Sequence, residues 1–355
     1  MKILTEPIGS IPRSHELLQA IGAFHAGQID QAALDAAIDA ALRDTLERME
    51  ATGSPVLTDG EQTKPSFATY PLSGIDNLSG DGVVIPFADG HTRQLPRLTA
   101  GPFRYGTYAV EYLRAAQKFT RRPLKQAVIS ASALSLLYPS EGIPGYSREE
   151  FLADLIDEAE KDIRQALDAN AENVQIDFTE GRLSLKLDPS GGLLRQFIEL
   201  NNKVLDRFRP DERGRIGVHV CPGGDHDSTH SADVDYAKFL PDLFQMEVGR
   251  FYLQMASEPD PKRMLRLVSQ LLKPKQIVFV GVTDPINPVV ETAAQVRDRV
   301  IQAAFFINAP KQLGTTDDCG FSPFADDNST ARDTAFAKIT ARVRGTELAA
   351  KELGY

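Results

Sequence analysis

The chain's two cysteines and one of its six histidines stand where a metal ion would use them. Cys221 closes Gly217-Val218-His219-Val220-Cys221, and Cys319 lies in Thr315-Thr316-Asp317-Asp318-Cys319-Gly320. Alternate side chains of an extended strand share a face, so His219 and Cys221 point the same way. One imidazole and two thiolates leave one tetrahedral position of zinc open, as in a catalytic site; a structural site closes with four protein ligands. The other reading of these residues is a core histidine and two buried free thiols, since free cysteine packs as a small hydrophobe.

The elements that would bring such distant residues together follow from the pattern of short β-rich runs between longer helical ones. The runs are Ile3–Ile8, Val56–Asp59, Gln126–Ser130, Val174–Asp177, Ile216–Val220, Phe251–Gln254, Ile277–Gly281 and Gln312–Thr315. Helical patterns cover His15–Ala26, Gln31–Ala51, Arg148–Ala169, Gly192–Arg207, Val234–Phe244, Pro261–Leu272, Val289–Ile307 and Ala331–Leu348. Ser147 with Glu150 makes a capping box ahead of one helix, and Ser329 or Thr330 is the expected cap of another.

Strand–helix alternation implies parallel strands joined by right-handed crossovers, and eight such units imply a single (β/α)₈ TIM barrel spanning 1–355. A doubly wound sheet is the alternative, but no glycine-rich dinucleotide turn follows the first strand. The stretch at about 71–122, rich in Gly, Pro and aromatic residues, breaks the rhythm. It reads as an elaboration between the second and third strands, lying over one barrel mouth, with a hairpin at Val83-Val84-Ile85-Pro86 before Asp89-Gly90.

On this layout the polar clusters fall at carboxyl ends of strands, the barrel face that carries active sites. They are Ile8-Gly9-Ser10, Asp59-Gly60-Glu61, Asp177, His219 with Cys221, Gln254, Thr283-Asp284 and Asp317-Asp318-Cys319.

Composition narrows the partners. With 355 residues, 42% apolar and 25% charged, the chain has ample material for a soluble core. A net charge of −10 and no Lys/Arg-rich run argue against nucleic acid or an anionic membrane as partner. No apolar run reaches bilayer-spanning length, and Met1–Pro7 lacks the apolar region of a signal peptide. Two cysteines make no disulfide framework, so a cytoplasmic, reducing location is expected.

The ordered set Ile8-Gly9-Ser10-Ile11-Pro12-Arg13, Asp59-Gly60-Glu61, Val174-Gln175-Ile176-Asp177, His219-Val220-Cys221 and Asp318-Cys319-Gly320 resembles the catalytic barrel of the cobalamin-independent methionine synthase family. The resemblance covers nearly the whole chain and is closest to short, single-barrel members. It implies that His219, Cys221 and Cys319 hold Zn²⁺. It also implies that Ser10 and the backbone of Ile8 hold the carboxylate of a homocysteine-like thiol, and that Glu61 and Asp177 pair with its amine. The implied reaction moves a methyl group from a donor, a methylated folate in the family, to a zinc-bound thiol, giving methionine. A free thiol has a pKa of about 8.5, and metal coordination removes its proton outright.

The chain departs from the family in three places. Gln254 stands where the family offers a glutamate ligand, with Glu258 one turn on as a substitute. Val282-Thr283-Asp284-Pro285 replaces the histidine that protonates the folate leaving group, which makes Asp284 the acid expected there. There is no tryptophan to stack a pterin. The loop Pro222–His230 adds Asp225, His226, Asp227 and His230, which offer a second metal site or, in His226, the missing acid; the other reading is a polar glycine-rich loop. Arg182 offers itself to a substrate carboxylate.

Two other functions are open to these residues. One is alkyl transfer or lysis on another thiol, as in the epoxyalkane:coenzyme M transferases, for which a sulfonate would call for cations where Glu61 and Asp177 stand. The other is a metal hydrolase barrel, which normally gathers more His and carboxylate ligands than this chain offers.

Overall fold

The computed structural model describes residues 2–355. Its central sheet has seven parallel strands, and an eighth segment reduced to a single bridge completes the ring. In spatial order they are Leu4–Thr5, Leu313–Asp317, Ile277–Thr283, Arg250–Leu253, Ile216–Val220, Asn173–Asp177 and Lys125–Ile129. Leu57 bridges Leu124 on one side, and on the other the Ile11 amide donates to the Gly60 carbonyl at 2.9 Å. The second predicted strand, Val56–Asp59, is thus present as a stave but paired at one residue. Glycine at 60 (φ +67°) and Glu61 (φ +53°) turn the chain out of the sheet just beyond it.

Most strands are buried along their whole length, as expected where helices cover the outside and side chains fill the inside. The interior is unusually polar. Asn173, Gln175 and Asp177 alternate along one strand and form a column toward the carboxyl face. Asn173 and the Tyr252 hydroxyl donate to Glu6, the Lys125 ammonium donates to Gln175 Oε1 at 2.7 Å, and Gln175 Nε2 donates to Asp177 Oδ1 at 2.7 Å. Each polar group in the column is satisfied by the next, which fixes the side chain at the top.

The helices match the predicted ones to within a few residues, with two informative exceptions. The Val289 helix starts only at Ala293, because Thr292 and Gln295 form its capping box. The last helix, Arg332–Glu352, has Ala331 at its cap; Ser329 is turned to Asp327 and Thr330 to the Pro285 carbonyl.

Residues Thr179–Arg182, where the sequence pattern gave no helix, include the start of the helix Glu180–Leu187. The elaboration contains two short antiparallel ribbons, Leu78–Ser79 with Arg97–Leu98 and Val84–Pro86 with Thr92–Gln94, then the helix Ala109–Gln117. Among the described residues no helix is long and apolar enough to cross a membrane.

Candidate metal centre and substrate cavity

His219, Cys221 and Cys319 come together at the carboxyl face, each offering an atom within 4.8 Å of the others. The two sulfurs are 3.0 Å apart. Both ring nitrogens of His219 are buried without a hydrogen-bond partner. A buried histidine whose acceptor nitrogen has no partner, beside two thiols, costs stability unless a cation takes that nitrogen, so the residues fit a soft divalent metal. Hydrogen bonding to Cys221, then burial, push the Cys319 thiol well above the usual range; a cation reverses that balance.

Local structure sets up the trio. The Gly223 amide donates to Cys221 Sγ at 3.4 Å. Glycine is required there, since φ is +71° and a Cβ would lie 1.8 Å from the His230 ring. Next to Cys319, Asp318 accepts the amides of Met255, Ala256 and Ser257 and the Ser257 hydroxyl at 2.7–2.8 Å, tying the loop after Arg250–Leu253 to the metal strand.

A cavity of about 400 Å³ opens from this cluster. Ile8, Ser10, Glu61, Asp177, His219 and Cys319 all line it. Glu61 already has a partner that the sequence did not suggest: Lys64, buried with it, donates to Glu61 Oε1 at 3.2 Å and to the Ala127 carbonyl at 2.9 Å. Burial lowers the pKa of Lys64, but Glu61, Asp59 and Asp177 outweigh it and raise the ammonium above its ordinary value. Three carboxylates around one lysine leave an acidic surplus for a substrate ammonium. The Glu-x-x-Lys spacing was the available signal.

Ser10 Oγ accepts from the Ser322 amide at 3.2 Å. Arg13 clamps the two loops on either side by donating to the carbonyls of Glu61, Lys64, Ser322 and Phe324.

Other predicted residues lie elsewhere. Gln254 is turned away from a ligand role: its oxygen accepts from Arg182 Nη1 at 2.8 Å and its nitrogen donates to Ser257. Glu258 faces the same arginine at 3.9 Å, and burial raises its carboxyl. Arg182 in turn spends four of its five N–H donors on Gln254 and the Ala232 and Val234 carbonyls, and it is not among the described residues that line the cavity. Asp284 caps its own turn by accepting from the Ile286 amide; neither it nor His226 is among the described residues that line the cavity.

His226 and Asp227 form the two-residue tip, both with positive φ, of a ribbon pairing Gly224–Asp225 with Ser228–Thr229. Asp225, His226 and Asp327 do cluster. Arg93, however, already donates to both oxygens of Asp225 at 2.5 and 3.0 Å, and His91 lies 3.0 Å from it, which removes the motive for a second cation. Burial lowers the pKa of His230 to about 4, leaving a neutral ring in the cavity wall.

Fold and site together define an α/β barrel whose carboxyl face gathers a His/Cys/Cys trio of metal-ligating residue types. Residues 3–337 match the family described as cobalamin-independent synthase, catalytic domain, and the chain belongs to that family.

It is 25% identical over 354 residues to a 5-methyltetrahydropteroyltriglutamate–homocysteine methyltransferase of Aeromonas salmonicida, covering 97% of this chain but 44% of that protein. With a methionine synthase of Sulfurisphaera tokodaii it shares 21% identity over 98% of this chain and 93% of the relative. The chain therefore spans under half of the first relative and nearly all of the second.

Among solved structures, a B12-independent methionine synthase from a Shewanella species, in complex with selenomethionine, superposes with TM-score 0.75 at 19% identity, covering 99% of both chains. A second, described as a putative vitamin-B12-independent methionine synthase, from Listeria monocytogenes, gives 0.71 at 19% identity over 98% of each. At that identity the likeness establishes the fold.

Proposed function

We propose that this protein methylates the thiol of homocysteine to give methionine, with Zn²⁺ held by His219, Cys221 and Cys319. The observation that carries the reading is the pair of unpartnered His219 nitrogens next to two sulfurs, at the floor of a cavity walled by Ser10, Glu61 and Asp177. The family and the names of the relatives support it.

When bound by these three residues, the metal would favour the deprotonated form of a substrate thiol at neutral pH. The protein's own groups do the rest. Ser10 and the Ile8 backbone would receive the amino acid's carboxylate. Glu61 and Asp177 would receive its ammonium, with Lys64 keeping Glu61 in place. Gln175 fixes the Asp177 carboxyl through the interior column.

The methyl donor enters over the apolar part of the cavity, which Phe67, Phe87 and Phe324 help to line. They stand in for a tryptophan beside a methylated pteroyl group, the donor that the relatives' names suggest. The acidic wall disfavours a sulfonate thiol. A reducing cytosol suits a site whose two sulfurs must stay unoxidised.

Metal analysis coupled to isothermal titration tests the reading. Zinc-loaded protein should bind homocysteine and release a proton as it does so. Zinc without homocysteine binding, or preference for a sulfonate thiol, overturns it.

A further inference from the structure

The leaving group needs a proton, and the two sequence candidates for giving one do not reach the cavity. A different group does. Glu180 lines the cavity, is buried, and has one oxygen, Oε2, with no partner.

Its other oxygen is held twice. Ser130 Oγ and Ser132 Oγ each lie 2.5 Å from Oε1. The directions of these bonds follow from the short distances and from what else the hydroxyls accept. Ser130 Oγ accepts the Ala133 amide at 3.1 Å as the cap of the helix Ala131–Leu134. Ser132 Oγ accepts from Asn201 Nδ2 at 2.7 Å. Each serine gives its one hydrogen to Oε1, which for Ser132 is far nearer than the Ser130 Oγ at 3.4 Å. An oxygen that accepts two hydrogen bonds is the carbonyl-like one, so a proton on this carboxyl sits on Oε2. As a donor, Oε2 would have no acceptor in the protein; it is closed to solvent, so its acceptor is a ligand pressed against the part of the cavity wall that Glu180 forms.

We propose that Glu180 is a catalytic residue, the acid that delivers the proton to the leaving atom of the methyl donor. The role rests on the thiol-methylation reading above. As the S–CH₃ bond forms, the bond from the methyl carbon to the donor atom breaks and its electron pair stays on that atom. The Oε2 proton passes to it and leaves Glu180 as a carboxylate. The count closes because the thiol gives up one proton on becoming the nucleophile, and Glu180 is reprotonated between turnovers.

Burial raises this carboxyl to about 7, with the two serines opposing and Asp177, the charged neighbour, adding to the rise. That value lets it hold a proton at neutral pH and still part with it.

Glu180→Gln is the test, because the amide keeps an oxygen for both serines and cannot give a proton. The variant should keep metal content and homocysteine affinity while kcat falls about 100-fold or more. It should also lose the decline in wild-type kcat as pH rises through about 7. In the resting wild-type protein, difference infrared spectra should show a neutral-carboxyl band that fades through the same pH range and is absent from Glu180→Gln.

A variant turning over within threefold of wild type, or a resting protein without that band, overturns the role and leaves the thiol-methylation reading intact. Wild-type protein that binds metal but does not methylate homocysteine overturns both.

Discussion

Cys221 and Cys319 are separated by 98 positions in the chain, and their sulfurs lie 3.0 Å apart with the bare ring of His219 beside them. Removing one sulfur should therefore abolish a shared site. Cys319→Ser is expected to lower zinc affinity more than about 100-fold and to eliminate methyl transfer, while the far-ultraviolet circular dichroism stays that of the folded barrel. Elemental analysis after dialysis against a weak chelator reads the result. Stoichiometric zinc in the variant would sink the ligand set.

Lys64 and Glu61 form an ion pair with side-chain exposures of 1% and 3%. Lys64→Met should cost about 3–5 kcal/mol in urea unfolding, because it strands Glu61, Asp59 and Asp177 without their cation. The pH dependence follows from the direction of the shift. The native ammonium holds its proton more tightly than the unfolded one, so its contribution is complete below the ordinary lysine pKa. It is lost as pH climbs through the raised native value. The wild type should thus weaken at strongly alkaline pH more than Lys64→Met does. Parallel pH curves would reject the assignment.

The barrel and the convergence of His219, Cys221 and Cys319 were legible because both depend on periodic signals: eight β-rich runs, and polar residues at their carboxyl ends. Lys64 was not, because a buried lysine looks like any loop lysine until three acids surround it. Glu180 escaped for a related reason. Its partners Ser130 and Ser132 sit one strand earlier, and only the register of Lys125–Ile129 against Asn173–Asp177 places them at its carboxyl. Gln254 illustrates the opposite failure. Its strand-end position was found correctly, but Arg182, which takes its oxygen, comes from a helix that the sequence did not reveal.

Gln254→Glu is informative for that reason. If position 254 faced the metal, a carboxylate there would tighten zinc binding strongly. With Arg182 2.8 Å away, the new carboxylate should pair with the guanidinium instead. Zinc affinity should then change less than about tenfold, or 1.4 kcal/mol. A larger gain in competition with a chromophoric chelator would place residue 254 among the ligands.

Arg93 reaches from the elaboration's hairpin to Asp225 and Asp326 and lies over the Phe324 ring at 4.1 Å. The same hairpin is tied to the ribbon after Cys221 by Ala88 donating to the Thr229 carbonyl at 3.0 Å. Arg93→Ala should loosen this cover without touching the metal. Amide exchange should rise across 84–94, the donor KM should increase several-fold, and homocysteine affinity should hold. Unchanged exchange with a changed homocysteine affinity would mean that Arg93 binds substrate rather than holding the cover.

Gly281 sits at the register shift of the strand Ile277–Thr283, and a Cβ there would come 1.8 Å from Asp318 Oδ1. That oxygen holds the amides of Met255 and Ala256, and its residue adjoins Cys319. A single methyl group at 281 must therefore displace the carboxylate that organises the loop and, with it, the thiol. Gly281→Ala should cost about 1–3 kcal/mol by overpacking and weaken zinc binding by about 10–100-fold, although no ligand has changed. Gly345→Ala is the control: its Cβ would meet Val296 at 2.4 Å, in the contact between the helices Ala293–Phe306 and Arg332–Glu352. It should destabilise the fold with zinc affinity unaltered. Equal loss of metal in both variants would reduce the Gly281 effect to general instability. Loss in Gly281→Ala alone would tie the bulge, through Asp318, to the placement of Cys319.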